Sequence, residues 1–277
     1  MTKENHLKQL SLEIVDFLVN GNVSDNNKWH EESSIAYFVD FIQKQPQVLN
    51  YDGICPLIII VSGLWSSALK RSIMIQKKSN YYTKLAHFYA LCLDNLIKLG
   101  ADPNIKHKHC HGSSVFHWLI AWDRSDECIK FIEMLKKHNV YWDKDIQDSA
   151  GNTPLTLLVA RKYFGRHPIC KKYDQALIEK LITEGCNPLI YNNEKNTSLH
   201  YAYLKHDIET INHIFNFTNT EGEHLKNNDN KTPIDLWNLS YQEAGRIIRK
   251  VYNASKIKDI MPEEIWQNAN YADISKN

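Results

Sequence analysis

The run His107-Lys108-His109-Cys110-His111 puts three imidazoles and a thiol into five consecutive residues. Imidazole and thiolate are good ligands for Zn²⁺ and Cu²⁺, so a metal-dependent sensor is one reading of the run. The histidines, however, fall at every second residue, without the separated pairs of a structural zinc site. The reading adopted is a recognition fingertip in which His107, Lys108, His109 and His111 meet a partner, with no metal and no cofactor.

A cysteine nucleophile needs a base brought close to it in space. Six cysteines stand in the chain, and Cys55, Cys92 and Cys128 lie in apolar stretches typical of small core residues. Cys170, in the segment Phe164-Gly165-Arg166-His167-Pro168-Ile169-Cys170, has a histidine nearby in the chain. It keeps a Cys/His-dependent hydrolase or transferase open as the alternative function. No phosphate-cradling glycine loop, dinucleotide fingerprint or paired metal-ligand helix is present.

Two further stretches carry recognition chemistry. Lys70, Arg71, Lys77 and Lys78 make residues 65–83 basic, flanked by Trp65, Tyr81 and Tyr82, a mixture found in single-strand nucleic-acid grooves. With a formal net charge of +1 over the whole chain, a solvated loop is the simpler reading, and no nucleic-acid partner is expected. Trp122, followed by Asp123 and Arg124, combines residue types that dominate interface hot spots. Tyr203 and Lys205 hold similar places further on, and the polar tips around Asp148, Asn152, Asn193 and Lys195 complete the partner-binding set.

The elements that must position these residues follow from pattern. The chain has 277 residues, 43% hydrophobic and 23% charged, an ordinary globular balance. Its longest apolar run, Ile54 to Leu64, is too short to span a bilayer, which excludes membrane insertion through that segment. Scattered, unpaired cysteines favour reduced thiols and a cytoplasmic setting. Met1 to Asn5 is polar, and Lys8, Glu13 and Asp16 break the next run, so no secretory leader is expected.

Leu7, Leu10, Ile14, Val15, Phe17 and Leu18 fall at helical spacing, and so do Ile35, Phe38, Val39, Phe41 and Ile42. These stripes predict two helices before Pro46. Beyond them a phrase recurs: Gly151-Asn152-Thr153-Pro154-Leu155, Asn196-Thr197-Ser198-Leu199-His200 and Lys231-Thr232-Pro233-Ile234-Asp235. Weaker copies are Gly112-Ser113-Ser114-Val115-Phe116-His117 and Gly53-Ile54-Cys55-Pro56-Leu57. A second phrase occurs twice, as Leu99-Gly100-Ala101-Asp102-Pro103-Asn104 and Glu184-Gly185-Cys186-Asn187-Pro188-Leu189. The threonines can cap helices, and the prolines suit a first helical turn.

Together these phrases resemble the ankyrin repeat, whose signature is a turn, a Thr-Pro-Leu-His helix start, two short helices and a Gly-Ala-Asp-Pro-Asn ending. Equivalent positions 55, 114, 153, 197 and 232 are spaced more widely than the ideal of about 33 residues, as loop insertions would produce. The resemblance implies that His117 and His200 bridge neighbouring turns by hydrogen bonds, and that Cys186 replaces a small core alanine. The asparagine-rich composition, 26 residues, and the polar, Glu-bearing tail resemble effectors that intracellular bacteria inject into host cells.

The expectation is therefore an all-α ankyrin solenoid with a helical N-terminal cap at 1–48 and repeats at about 49–103, 104–140, 141–188, 189–220 and 221–252, followed by a cap and tail at 253–277. Residues 65–83 and 161–173 are expected as insertions. The implied function is non-catalytic binding of a partner protein by a monomer, through the concave face and hairpin tips. The place of action would be the cytoplasm, and host cytosol for an injected protein.

Overall fold

The structure is a computed structural model and describes residues 3–20, 31–51, 55–74, 79–108, 111–161, 168–219 and 221–255. The described residues are all-α: they form helices and two short 3₁₀ turns, with no strand. They fall into two compact units, one built from residues up to His107 and the other spanning Lys108–Lys258.

The first unit holds α1 (Lys3–Asn20), α2 (Glu31–Lys44), α3 (Leu57–Met74) and α4 (Ser79–Lys98). Both stripes expected at the start become buried faces: Leu10, Ile14, Val15 and Leu18 on α1, and Phe38, Phe41 and Ile42 on α2. Phe17 and Tyr37 meet across them at 4.5 Å between ring centroids. Pro46 ends α2 and begins a 3₁₀ turn, because a proline cannot donate the next helical hydrogen bond.

Helices α3 and α4 pack along one another. Helix α3 is apolar on all sides through Ile58, Ile59, Ile60 and Val61, all at most 2% exposed, as a central helix must be. The stretch expected as a basic loop continues both helices instead: α3 runs on to Met74 and α4 begins at Ser79. No proline interrupts residues 64–74, and Trp65 and Ala68 are buried, so packing carries the helix past Leu64. Residues 75–78 lie outside the described residues. Tyr89 on α4 donates its hydroxyl to the carbonyl of Leu18 at 2.8 Å, tying α4 to the end of α1.

The second unit alternates short and long helices: α5 (Val115–Ala121), α6 (Ser125–Lys137), α7 (Pro154–Ala160), α8 (Pro168–Thr183), α9 (Ser198–Leu204), α10 (Ile208–Thr218), α11 (Pro233–Trp237) and α12 (Tyr241–Ser255). Each short helix starts at a hydroxyl N-cap: Ser114, Thr153, Thr197 or Thr232. Such a residue occupies a helix's orphaned amides and stops the backbone winding further back. The short helices pack in sequence, α5 on α7, α7 on α9 and α9 on α11, and form an inner row. The longer α6, α8 and α10 form an outer row.

Apolar stripes at helical spacing hold the outer row: Cys128, Phe131, Ile132 and Leu135 on α6, and Leu177, Ile178, Leu181 and Ile182 on α8, all at most 5% exposed. Residues 161–173 are expected as an insertion, yet α8 already begins at Pro168, where a proline suits the first turn. Residues 162–167 lie outside the described residues, as do residues 256–277, which make up most of the expected cap and tail. The last helix, α12, packs on α7.

Candidate functional site

The loops before α7, α9 and α11 form tight tips, each organised by one side chain. Asp148 Oδ1 accepts the amides of Ala150 (2.9 Å) and Asn152 (2.8 Å). Asn192 Oδ1 does the same for Glu194 and Asn196, and Asn227 Oδ1 for Asp229 and Lys231. A carboxylate or amide oxygen can take two donors at once, which is why Asp and Asn fill these places.

The tips are then joined rung to rung. The Ser149 amide donates to the His111 carbonyl (2.7 Å), Asn193 to Ala150 (3.0 Å) and Asn228 to Glu194 (3.1 Å). Side chains add a second rail: Asn192 Nδ2 donates to Asn152 Oδ1, and Asn227 Nδ2 to Asn196 Oδ1, both at 2.9 Å. Gly151 permits this approach. Its φ is +75°, and a Cβ there would stand 2.6 Å from Asn193 Oδ1 and 2.8 Å from the Asn193 nitrogen.

Two buried histidines lock the tips onto the helices. His117 Nδ1 faces the Ser114 amide and hydroxyl, and its Nε2 lies 2.9 Å from the carbonyl of Asn152. His200 repeats the arrangement, with Nδ1 toward Thr197 and Nε2 3.3 Å from the Lys231 carbonyl. Burial lowers the His200 pKa to about 4, which keeps the ring neutral at physiological pH.

The tips and α12 enclose a cleft of about 290 Å³. Its polar side is His111, Ser149, Asn152, Asn192, Asn193 and Asn196, continued by Tyr201, Asn227 and the acidic Glu194 and Asp229. Ile247 and Val251 of α12 form its apolar side. Burial pushes the Tyr201 hydroxyl up to about 12, so it remains a neutral group, and it accepts a hydrogen bond from Asn192 at 3.0 Å. The amides of Asn152, Asn192, Asn196 and Asn227 are buried and engaged in the tips, so the exposed Asn193, Glu194 and Asp229 are the cleft residues placed for recognition through hydrogen bonds.

The residues singled out from sequence are distributed over several places. His111, Asn152 and Asn193 come together in the cleft. Asn152 is fully buried and Asp148 is 5% exposed, so both act mainly by building the tips. Lys195 is exposed on its tip, with φ +53°. His107, in the first unit, is 1% exposed while Lys108 is exposed, so a partner arriving from solution would meet the lysine. His109 and Cys110 lie outside the described residues.

Trp122, Asp123 and Arg124 form the turn from α5 to α6, at the opposite end of α5 from the tips. There Trp122 lies 6.0 Å from Trp118 between ring centroids, and Arg124 stands 3.5 Å from the buried Glu127. Burial above all, reinforced by neighbouring Asp126, raises the Glu127 pKa to about 8. Tyr203 sits in a cluster with Phe215 and Trp237. Lys205 donates to the carbonyls of Val159 and Arg161 and so caps the end of α7.

Sequence reasoning passed over Arg161, which is 1% exposed and gathers four elements. It donates to Asp174 on α8 at 2.7 Å, to Ser125 at the start of α6, and to the Ile120 carbonyl in α5. It also passed over Ile247 and Val251, whose signal was present: an apolar stripe behind a Ser240-x-x-Glu243 start.

Cys55, Cys92, Cys128 and Cys186 are buried free thiols. Burial raises all three of the thiols at Cys92, Cys128 and Cys186, that of Cys128 to about 12, which disfavours the nucleophilic thiolate. Among the described residues, no three His, Cys, Asp or Glu side chains gather as metal ligands would. Nor is any described helix long and apolar enough to cross a membrane.

Comparison with protein-family models and with curated proteins returns no match.

Proposed function

We propose that this chain is an ankyrin-type solenoid that binds a partner protein and catalyses no reaction of its own. The observation that carries this reading is the ladder of tips, in which Ser149, Asn193 and Asn228 each donate a backbone amide to the preceding tip. The His117 and His200 bridges, and the inner and outer rows of helices, agree with the repeat phrases in the sequence. Rigid tips present their polar groups in fixed positions, so a partner is bound at little ordering cost.

The partner-facing surface in this reading is the cleft side of the inner row, with Asn193, Glu194 and Asp229 as its exposed polar contacts. The turn at Trp122 is a second, smaller contact. The buried free thiols support a reducing setting such as the cytoplasm, and host cytosol if the chain is an injected effector.

Affinity capture from cell lysate with mass spectrometry tests the reading, using the wild-type chain beside an E194R/D229R variant. Both substituted residues are exposed, so the variant's melting temperature should match that of wild type. A protein recovered by the wild type and lost from the variant is the expected result. Identical recoveries from both baits would overturn the assignment of the cleft.

A further inference from the structure

Helix α12 lies on the face that a partner would use. It packs on α7, and all seven residues of that inner helix are buried, those from Leu155 to Ala160 at most 1% exposed. Ile248 and Val251 of α12 are themselves 5% and 4% exposed, and Ile247 and Val251 face into the cleft.

The helix is specified by its own local signals. Ser240 and Glu243 form a reciprocal cap: the Ser240 amide and hydroxyl both reach the Glu243 carboxylate, at 2.9 and 2.6 Å, and the Glu243 amide turns back to Ser240. Ala244, Ile247, Ile248 and Val251 make one stripe at helical spacing, while Gln242, Glu243 and Arg246 are exposed. Only Asn238, Leu239 and Ser240 separate it from α11.

Two features make its seat exchangeable. Gly245 stands within the helix with open space where a side chain would go, and glycine weakens a helix interior. The opposite wall of the cleft, moreover, is amide-rich, lined by Asn152, Asn192, Asn196 and Asn227, where an apolar wall would hold Ile247 and Val251 better.

Resting on the protein-binding reading above, we propose that α12 is a built-in occupant of the groove. It holds the binding face closed until a partner helix of the same chemistry displaces it. That chemistry is an Ile/Val stripe on a helix of net basic sequence. Residues 240–255 carry Arg246, Arg249 and Lys250 against one acid, Glu243, and the cleft supplies Glu194 and Asp229. Tethering through a three-residue link gives α12 an effective concentration on the order of millimolar, so a free helix competes poorly while α12 is intact.

The test uses the full chain and a fluorescein-labelled peptide of residues 240–255, read by fluorescence anisotropy. G245P breaks α12 without touching a groove-facing side chain, and should bind the peptide at least about tenfold more tightly than wild type. G245A strengthens α12 and should weaken peptide binding by about two- to fivefold. A peptide carrying I248E and V251E should bind neither chain, and E194R/D229R added to G245P should lower the affinity.

Equal peptide binding by wild type and G245P, or equal binding of the altered peptide, overturns the proposal. If G245P does not fold, as circular dichroism would show, G245A decides alone, and an unchanged affinity there overturns it. A G245P chain that ignores the peptide yet captures a protein through Glu194 and Asp229 sinks the built-in occupant and keeps the binding function. A chain that takes the peptide while no bait recovers a protein does the reverse.

Discussion

Arg161 and Asp174 form an ion pair at 2.7 Å with both side chains almost entirely out of water, 2% and 1% exposed. The pair links the end of α7 to α8, and Ser125 Oγ donates to the same carboxylate oxygen at 2.5 Å. Breaking a buried pair leaves one charge without compensation, which is far costlier than losing a surface pair. D174A should therefore destabilise the chain by about 3–5 kcal/mol in urea denaturation. The double variant R161M/D174L, which removes both charges, should recover most of that loss. A double variant no better than D174A would show that the pair is specifically required.

Gly151 is the tightest point of the tip ladder. G151A places a methyl group against Asn193 at a backbone conformation, φ +75°, that alanine adopts with strain. A loss of about 2 kcal/mol is expected, with hydrogen exchange fastest at the Asn193 amide, whose bond to Ala150 must lengthen. Stability equal to wild type would mean that the tips are not packed as described.

His200 makes the fold sensitive to mild acid. In the unfolded chain it takes up a proton near pH 6.5, but in the folded chain only near 4, because burial penalises the imidazolium. Its stabilising contribution is complete above pH 6.5 and is lost as pH falls toward 4. Over that window wild type should lose on the order of 2–3 kcal/mol that H200Q does not lose. Parallel stability curves for the two proteins would refute this.

Glu127 acts in the opposite direction. Burial raises its folded pKa from 4.5 to about 8, so its stabilising effect is present below pH 4.5 and is lost as pH rises toward 8. E127Q keeps a neutral side chain of similar shape. It should match wild type near pH 4.5 and exceed it at pH 9 by about 1 kcal/mol or more, read from thermal melts at each pH. The nearby Arg124, 3.5 Å away, limits the gain.

Much of the local structure was legible in the sequence because local rules govern it. The stripes beginning at Leu7 and Ile35 wrote α1 and α2, and the caps Thr153 and Thr232 marked where α7 and α11 start. Residues 65–83 misled, since a run rich in Ser, Lys and Tyr reads as a loop while burial of Trp65 and Ala68 carries α3 on to Met74. Packing overrode composition there.

The site depended on distance across the chain. Caps, prolines and stripes act within a few residues, so the order of residues alone shows that helices form, where several start and which side chains punctuate the tips. That Asn152 receives a hydrogen bond from Asn192, that Arg161 finds Asp174 and that α12 lies on α7 is settled by the folded chain. Those outcomes turn on which surfaces meet when water is excluded, and no local pattern encodes the meeting.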